Sequence, residues 1–455
     1  MESKKLGARL WVAIILIGLI GQLAWAIENQ YINLWVFSQT GDANHISWMT
    51  TASAIVATAT TFFMGALSDK LGKRKLFIAL GYTIWGVMVS LFGVMSLKNL
   101  LPLNGNDYAK AFLAVGIMNV VVDCLMTFFG STSNDAAFNA FVTDQTNEKN
   151  RPLVESIISV MPLFAMAIMF VVGGMLGLPG AMGEAESATD FAIRISEPWF
   201  IFFLAVGILT TAVGVACFFL LPKDNIAPSR DEKYIKKLVT GFLPKTIKSN
   251  VGFYLVLLTF LFFNIAVDSF MPYYLVYFQS TLGIVEGDFF SAMAIIIGVS
   301  SAIVIALGAF LDRIGKMKVI FPAILVMGGG ALGFFLCGAE KPLAILSGVL
   351  LMTGYLVGTA ALGAELRDQT PKNDVGSTQG VRMVFCVLLP MAIGANLSTA
   401  AFQSKYENEF GQIVAKPDKW MFIVTLGAAL LAIIPAVVLV LYKRKKQNQE
   451  ANVTE

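Results

Sequence analysis

Apolar residues fall into twelve long runs, near 10–38, 46–67, 76–97, 110–139, 153–177, 198–221, 252–278, 288–310, 319–338, 342–364, 380–402 and 419–442, with charge gathered between them. A helix rises ~1.5 Å per residue, so about 20 apolar residues cross a hydrocarbon core ~30 Å thick. That layer offers no water to the backbone, and runs of this length span it only as helices, whose hydrogen bonds close within the segment. The pattern therefore predicts an all-α membrane protein with twelve transmembrane helices. The first run follows Met1–Arg9 and continues well beyond the short core of a cleavable leader, so it is read as helix 1.

The polar connections repeat. Gly65-Ala66-Leu67-Ser68-Asp69-Lys70-Leu71-Gly72-Lys73-Arg74-Lys75 returns as Gly308-Ala309-Phe310-Leu311-Asp312-Arg313-Ile314-Gly315-Lys316-Met317-Lys318, with glycines, aspartate and most bases at the same spacing. Asp144-Gln145-Thr146 after helix 4 returns as Asp368-Gln369-Thr370 after helix 10, and the acids Glu28 and Asp268 stand at similar depths in helices 1 and 7. The chain is read as a duplication: six helices in 1–222, a linker at 223–250, and six helices with a tail in 251–455. The Gly65–Lys75 word resembles the loop signature of the major facilitator superfamily. That resemblance implies two pseudo-symmetric six-helix bundles rocking about a midplane site. It also implies a gate network at the loop face, here Asp69, Lys70, Arg74, Asp312, Arg313, Asp144, Arg151 and Asp368, with Glu365 and Arg367 beside it.

Composition agrees: 56% of residues are hydrophobic and 14% charged, against roughly 25% charged in soluble domains. Of the 33 Lys and Arg, 26 fall on the side of the termini and 7 on the other, which predicts cytoplasmic termini in a cell membrane. The linker's bases, Lys223 to Lys248, fit a solvated segment against anionic lipid and call for no nucleic acid. The four cysteines lie in apolar runs without paired spacing, so no disulfide frame, metal site or cofactor is readable. The single His45, with no HExxH and no GxSxG with a partner, disfavours an enzyme.

Ionisable groups inside a membrane are few and costly. Here they are Glu28, Asp123, Asp135 and Asp268, with Arg382 the one base well inside a span. Asn119, Thr127, Ser131 and Asn134 share a helical face with Asp123 and read as cavity lining. Each acid has a plainer alternative as a protonated hydrogen-bonding group between helices, and Trp25 as simple packing. Gly328–Gly330 reads as close helix packing, not a phosphate loop.

Two words narrow the resemblance. Asn134-Asp135-Ala136-Ala137-Phe138-Asn139-Ala140-Phe141-Val142-Thr143-Asp144-Gln145-Thr146, continuing to Arg151, and Gly21-Gln22-Leu23-Ala24-Trp25-Ala26 before Glu28 resemble the glycoside-pentoside-hexuronide:cation symporters, including their sucrose-transporter branch. The resemblance implies a secondary transporter taking up a sugar or glycoside with a cation, working as a monomer. Asp135, Asn139, Trp25, Glu28 and Asp268 are then expected at the substrate. Glu28, Asp123 and Asp268 are expected to serve ion coupling. Sodium-coupled members carry two acids one turn apart on helix 2, where this chain has Ala57 and Thr61. A hard cation needs several charged oxygens, so the expected ion is a proton. An exporter of amphipathic compounds and a non-transporting sensor remain the alternatives.

Overall fold

The computed structural model describes residues 6–146, 150–178, 180–183, 186–224, 240–308, 315–336, 340–371, 380–408 and 411–454. The expected gate residues Asp312 and Arg313 lie outside this set, as do Cys337 and the linker segment 225–239.

The long helices are α1 (Ala8–Thr40), α2 (Ala43–Leu71), α3 (Arg74–Phe92), α4 (Tyr108–Gln145), α5 (Arg151–Met175), α6 (Ala188–Leu220), α7 (Val251–Thr281), α8 (Glu286–Gly308), α9 (Lys316–Leu336), α10 (Lys341–Gln369), α11 (Gly380–Ala401) and α12 (Trp420–Thr454). Eleven are long and apolar enough to cross a bilayer. The remaining one, α5, is apolar over Val160–Met175 and has 25 residues in all, ~37 Å of helix, which also suffices. Two helices outrun their apolar runs. α6 begins at Ala188, where Ser187 caps it by accepting the Asp190 N–H, and α12 carries on through the polar tail.

An even number of spans returns the chain to its starting side. The termini, the 72–73 turn and the α6–α7 connection share one face, called here the terminal face, and the α1–α2, α5–α6 and α11–α12 connections share the distal face. Gly72 adopts φ 62°, a left-handed conformation that costs glycine little, and so ends α2 sharply enough for Arg74 to return beneath Asp69.

Each half has its own aromatic core. Tyr31, Trp35, Trp199, Phe202 and Phe203 pack in the first, and Phe334 stacks on Phe422 at 4.5 Å in the second. Small residues bring helices close: Gly86 and Gly207 meet between α3 and α6, and Gly330 meets the Leu351 backbone of α10. The reading of Gly328–Gly330 as a packing surface thus holds at Gly330.

Between α11 and α12 a two-stranded antiparallel hairpin, β1 (Lys405–Glu407) and β2 (Ile413–Ala415), sits on the distal face with Tyr406 opposite Val414. It reaches the other half. Ala415 N–H donates to Asp42 Oδ1 at 3.1 Å and the Tyr406 hydroxyl to the Gly41 carbonyl at 3.1 Å. Asn396 donates to Thr51 Oγ1 at 2.7 Å, and Gln279 to the Gly180 carbonyl at 3.0 Å. These ties gather at the distal end, and deeper, beside Met271 of α7, Gln30 donates to the Met271 sulfur at 3.1 Å.

Candidate functional site

Glu28 sits in a π-helical stretch, Ile27–Ile32, that interrupts α1. Such one-turn widenings often mark functional positions because they re-aim side chains. Here the turn directs the carboxylate toward α2 and α4. Oε1 accepts hydrogen bonds from Ser53 at 2.7 Å and Thr127 at 3.0 Å, while Oε2 is buried without a partner. Asp123 on α4 is 1% exposed, and its Oδ1 likewise is buried and unpartnered. A buried polar atom left unpaired costs roughly 1–3 kcal/mol, more when charged, so two of them on neighbouring carboxylates call for an explanation.

Both acids line one small cavity with Asp268 of α7. Asn29, Asn33, Thr50 and Ser53 add polar atoms, and Met49, Met271 and Met391 close the rest. The walls come from both halves, and no basic side chain is among them. Its volume is about 30 Å³, room for a water or two and too small for a sugar. Glu28 and Asp268, at similar depths in their helices, thus border one cavity, and Asp123 joins them there.

The other α4 residues on that face behave differently. Asn119 accepts from the Trp35 indole at 3.2 Å and donates to the Met95 carbonyl at 2.9 Å, and Thr127 is held by Glu28 and Ser53. Ser131 donates to Asp135 Oδ2 at 3.0 Å, and Asn134 both accepts from Tyr82 at 2.9 Å and donates to Asp135 Oδ1 at 3.1 Å. This corrects the expectation of a lining face for that cavity: only Asp123 of that row borders it, Asn119, Thr127 and Asn134 tie α4 to its neighbours, and Ser131 holds Asp135 one turn on in α4 itself. Helical spacing shows which residues share a face, not what covers it.

Asp135 lies in a second π-helical stretch, Ser131–Phe138. Twelve residues separate it from Asp123, ~18 Å along the axis toward the terminal face. Asn139 is exposed one turn further on, donating to the Asp135 carbonyl at 3.1 Å. Trp25 packs on Trp85 with centroids 5.0 Å apart and keeps part of its surface open. None of these three borders the small cavity, so the proposed substrate residues divide between two depths.

At the terminal face Arg74, itself 7% exposed, pairs with Asp69 and with Asp144 at 3.3 Å, tying the ends of α2, α3 and α4. Arg151 donates to Thr146 Oγ1 at 3.1 Å and to the Thr143 carbonyl at 3.0 Å, closing the end of α4. In the second half Lys316 pairs with Asp368, and Lys443 of α12 with the buried Glu365. Lys70 stands in the last turn of α2. All these ties lie within a half.

Sequence reasoning overlooked Ser53 and Thr50. Their signal was present in the unusual run of hydroxyls on α2, Thr50, Thr51, Ser53, Thr58, Thr60 and Thr61.

Comparisons with known proteins bear on the whole arrangement. An uncharacterized MFS-type transporter, YqjV, of Bacillus subtilis (strain 168) is 26% identical over 181 residues, 39% of this chain and 38% of that relative, well under half of its length. A bacterial homolog to the human lysosomal transporter Spinster, in an inward-facing and unoccupied conformation, superposes with TM-score 0.66 at 15% identity, covering 97% of this chain and 98% of the other. A D-xylose-proton symporter does so with TM-score 0.64 at 13% identity, over 93% and 97%. At such identities the structures speak for the fold alone. Residues 10–395 match the Major Facilitator Superfamily, and with that match over most of its length this multi-pass membrane protein belongs to that family of transporters, which are not enzymes.

Proposed function

We propose that the chain is a proton-coupled importer of a sugar or glycoside, working by alternating access in the cell membrane. Its two bundles are taken as 1–222 and 251–455, with the 223–250 linker and both termini in the cytoplasm. The observation that carries the coupling is the cavity shared by Glu28, Asp123 and Asp268, with two buried carboxylate oxygens lacking partners. Three acids around one cavity with no basic side chain among its walls offer a transported proton carboxylate oxygens to bind. α2 contributes hydroxyls to that cavity and no acid, so the pair of acids expected of a sodium site is missing at Ala57 and Thr61.

The sugar belongs further toward the terminal face, beside Trp25, Asp135 and Asn139. There an indole offers an apolar platform, and a carboxylate accepts from adjacent hydroxyls. A D-xylose-proton symporter shares the fold, so the fold accommodates a substrate of this class. In an alternating-access transporter whose distal ends are joined, the substrate site opens on the terminal side, the state from which an importer releases its cargo into the cell.

Uptake by proteoliposomes under an imposed pH gradient, and separately under an imposed sodium gradient, tests the reading. Accumulation of a radiolabelled mono- or disaccharide with the pH gradient alone is expected. Accumulation that follows sodium and ignores pH would replace the ion, equilibration without accumulation would make it a facilitator, and outward pumping of amphipathic dyes would favour the exporter. Orientation is read from Lys245→Cys, which an impermeant maleimide should reach only from the inside.

A further inference from the structure

A second cavity, about 340 Å³, lies at the distal face between α2 of the first half and α11 and the hairpin of the second. Its volume falls within the ~300–1,000 Å³ typical of small-molecule sites. Asn44, Ser47, Trp48, Asn396, Thr399 and Lys405 line it, with Ala400 and the β2 strand as the remaining wall.

The hydrogen-bond inventory says what it would hold. Asn396 donates to both Thr51 Oγ1 and the Ala392 carbonyl, each at 2.7 Å, and Asn44 Nδ2 donates to Asp42 at 2.8 Å. The Ser47 hydroxyl donates to the Asn44 carbonyl at 2.9 Å, and the Thr399 hydroxyl is tied to the Ala395 carbonyl and Tyr273. What these groups still offer is mainly lone pairs. Lys405 adds donors, and Trp48, 49% exposed and braced edge-on against His45 at 5.1 Å, adds an aromatic face. A phosphate or carboxylate brings acceptors only and would meet acceptors on most sides. An organic cation would meet the Lys405 charge. A neutral molecule with several hydroxyls satisfies both kinds of partner and lays its apolar face on the indole.

We infer that this cavity binds a small neutral polyol of sugar size and that its occupancy holds the distal ends shut. The walls belong to both halves, so separating the halves at this end dismantles the site. A ligand that binds only the closed arrangement favours it by the factor 1 + [L]/Kd, about tenfold at ten times Kd. Nothing in this requires that the polyol be the transported substrate.

The test uses the purified full chain in detergent, with D-xylose and maltose as probes, inorganic phosphate as the anion control, and tryptophan fluorescence as the readout. A saturable response to at least one sugar is expected, weakened at least about tenfold in Trp48→Phe and in Lys405→Ala, as for loss of one good contact. The same titrations are run in an Asp135→Ala background, where the carboxylate proposed for the other site is gone, so a response that persists there and is weakened by Trp48→Phe and Lys405→Ala belongs to this cavity, and failure here is told apart from failure of the uptake reading. In proteoliposomes, saturating sugar should slow labelling of Thr50→Cys by an impermeant maleimide from the distal side. No saturable response to either sugar, a response to phosphate instead, a response unchanged in Trp48→Phe and Lys405→Ala, or labelling indifferent to sugar would each overturn the inference.

Discussion

The Ser53 hydroxyl donates to Glu28 Oε1 at 2.7 Å, binding α2 to α1, while Oε2 of the same carboxylate is buried and bare. One oxygen is anchored, and in the proposed coupling the other takes the proton. Glu28→Gln and Asp123→Asn should each abolish accumulation driven by a pH gradient, because a fixed amide cannot exchange the proton. Counterflow of sugar between equal concentrations should persist. Retained pH-driven accumulation in both variants would place coupling elsewhere.

Asp135 already accepts from Ser131 and Asn134, which fix its orientation, and its neighbour Asn139 is exposed. Hydrogen bonds to a charged group contribute about 1.5–3 kcal/mol, so Asp135→Ala should weaken sugar binding by at least about tenfold. Isothermal titration checks this with Lys405→Ala in both proteins to silence the distal cavity, and an unchanged affinity would remove Asp135 from the site.

Arg74 holds Asp69 and Asp144 together at the terminal face, far from the acid cavity. Both acids keep a third or more of their surface in water, so losing the tie should cost only about 1–2 kcal/mol, less than a fully buried pair. Asp69→Asn and Arg74→Ala are expected to slow transport while leaving substrate affinity within a few fold, with Arg74→Ala the slower. Initial-rate kinetics decide it, and a collapse of affinity at normal rate would contradict a role in the conformational cycle.

Asp42 does two jobs. It caps α2 by accepting the Asn44 N–H at 3.0 Å and receives Ala415 from the other half. Asp42→Ala should therefore cost about 0.5–2 kcal/mol for the cap alone and also loosen the distal closure. Tyr406→Phe removes only a tie between the halves, its bond to Gly41, and leaves the cap intact. Maleimide labelling of Thr50→Cys from the distal side should rise in both, more in Asp42→Ala. No rise in Tyr406→Phe would show that the hairpin does not hold this end closed.

In the α5–α6 connection, Arg194 and the Gly183 N–H bond the Glu186 carboxylate and draw its pKa from 4.5 down to about 2. A depressed carboxylate stabilises the fold fully above its unfolded pKa and loses that contribution as pH falls through the folded value. The melting-temperature gap between wild type and Glu186→Gln should thus be constant from pH 7 to about pH 5 and shrink below about 4.5. A gap that widens on acidification would contradict this pairing.

The amino-acid pattern alone carried the all-α membrane fold and the long helices that hold Glu28, Asp123, Asp135 and Asp268. Those follow from a local rule: an apolar run must be a helix in lipid. The pattern could not tell that Asn119, Thr127 and Asn134 are consumed by neighbouring helices, and Ser131 by Asp135 on its own, while Asp123, on the same face, borders a cavity. Nor could it place Ser53 against Glu28, or bring Asp42 to a hairpin 373 residues later. A helical face is fixed by a period of 3.6 residues, but whether it meets a hydroxyl, a ring or open space depends on which other helix arrives there. That is decided only when the whole bundle packs.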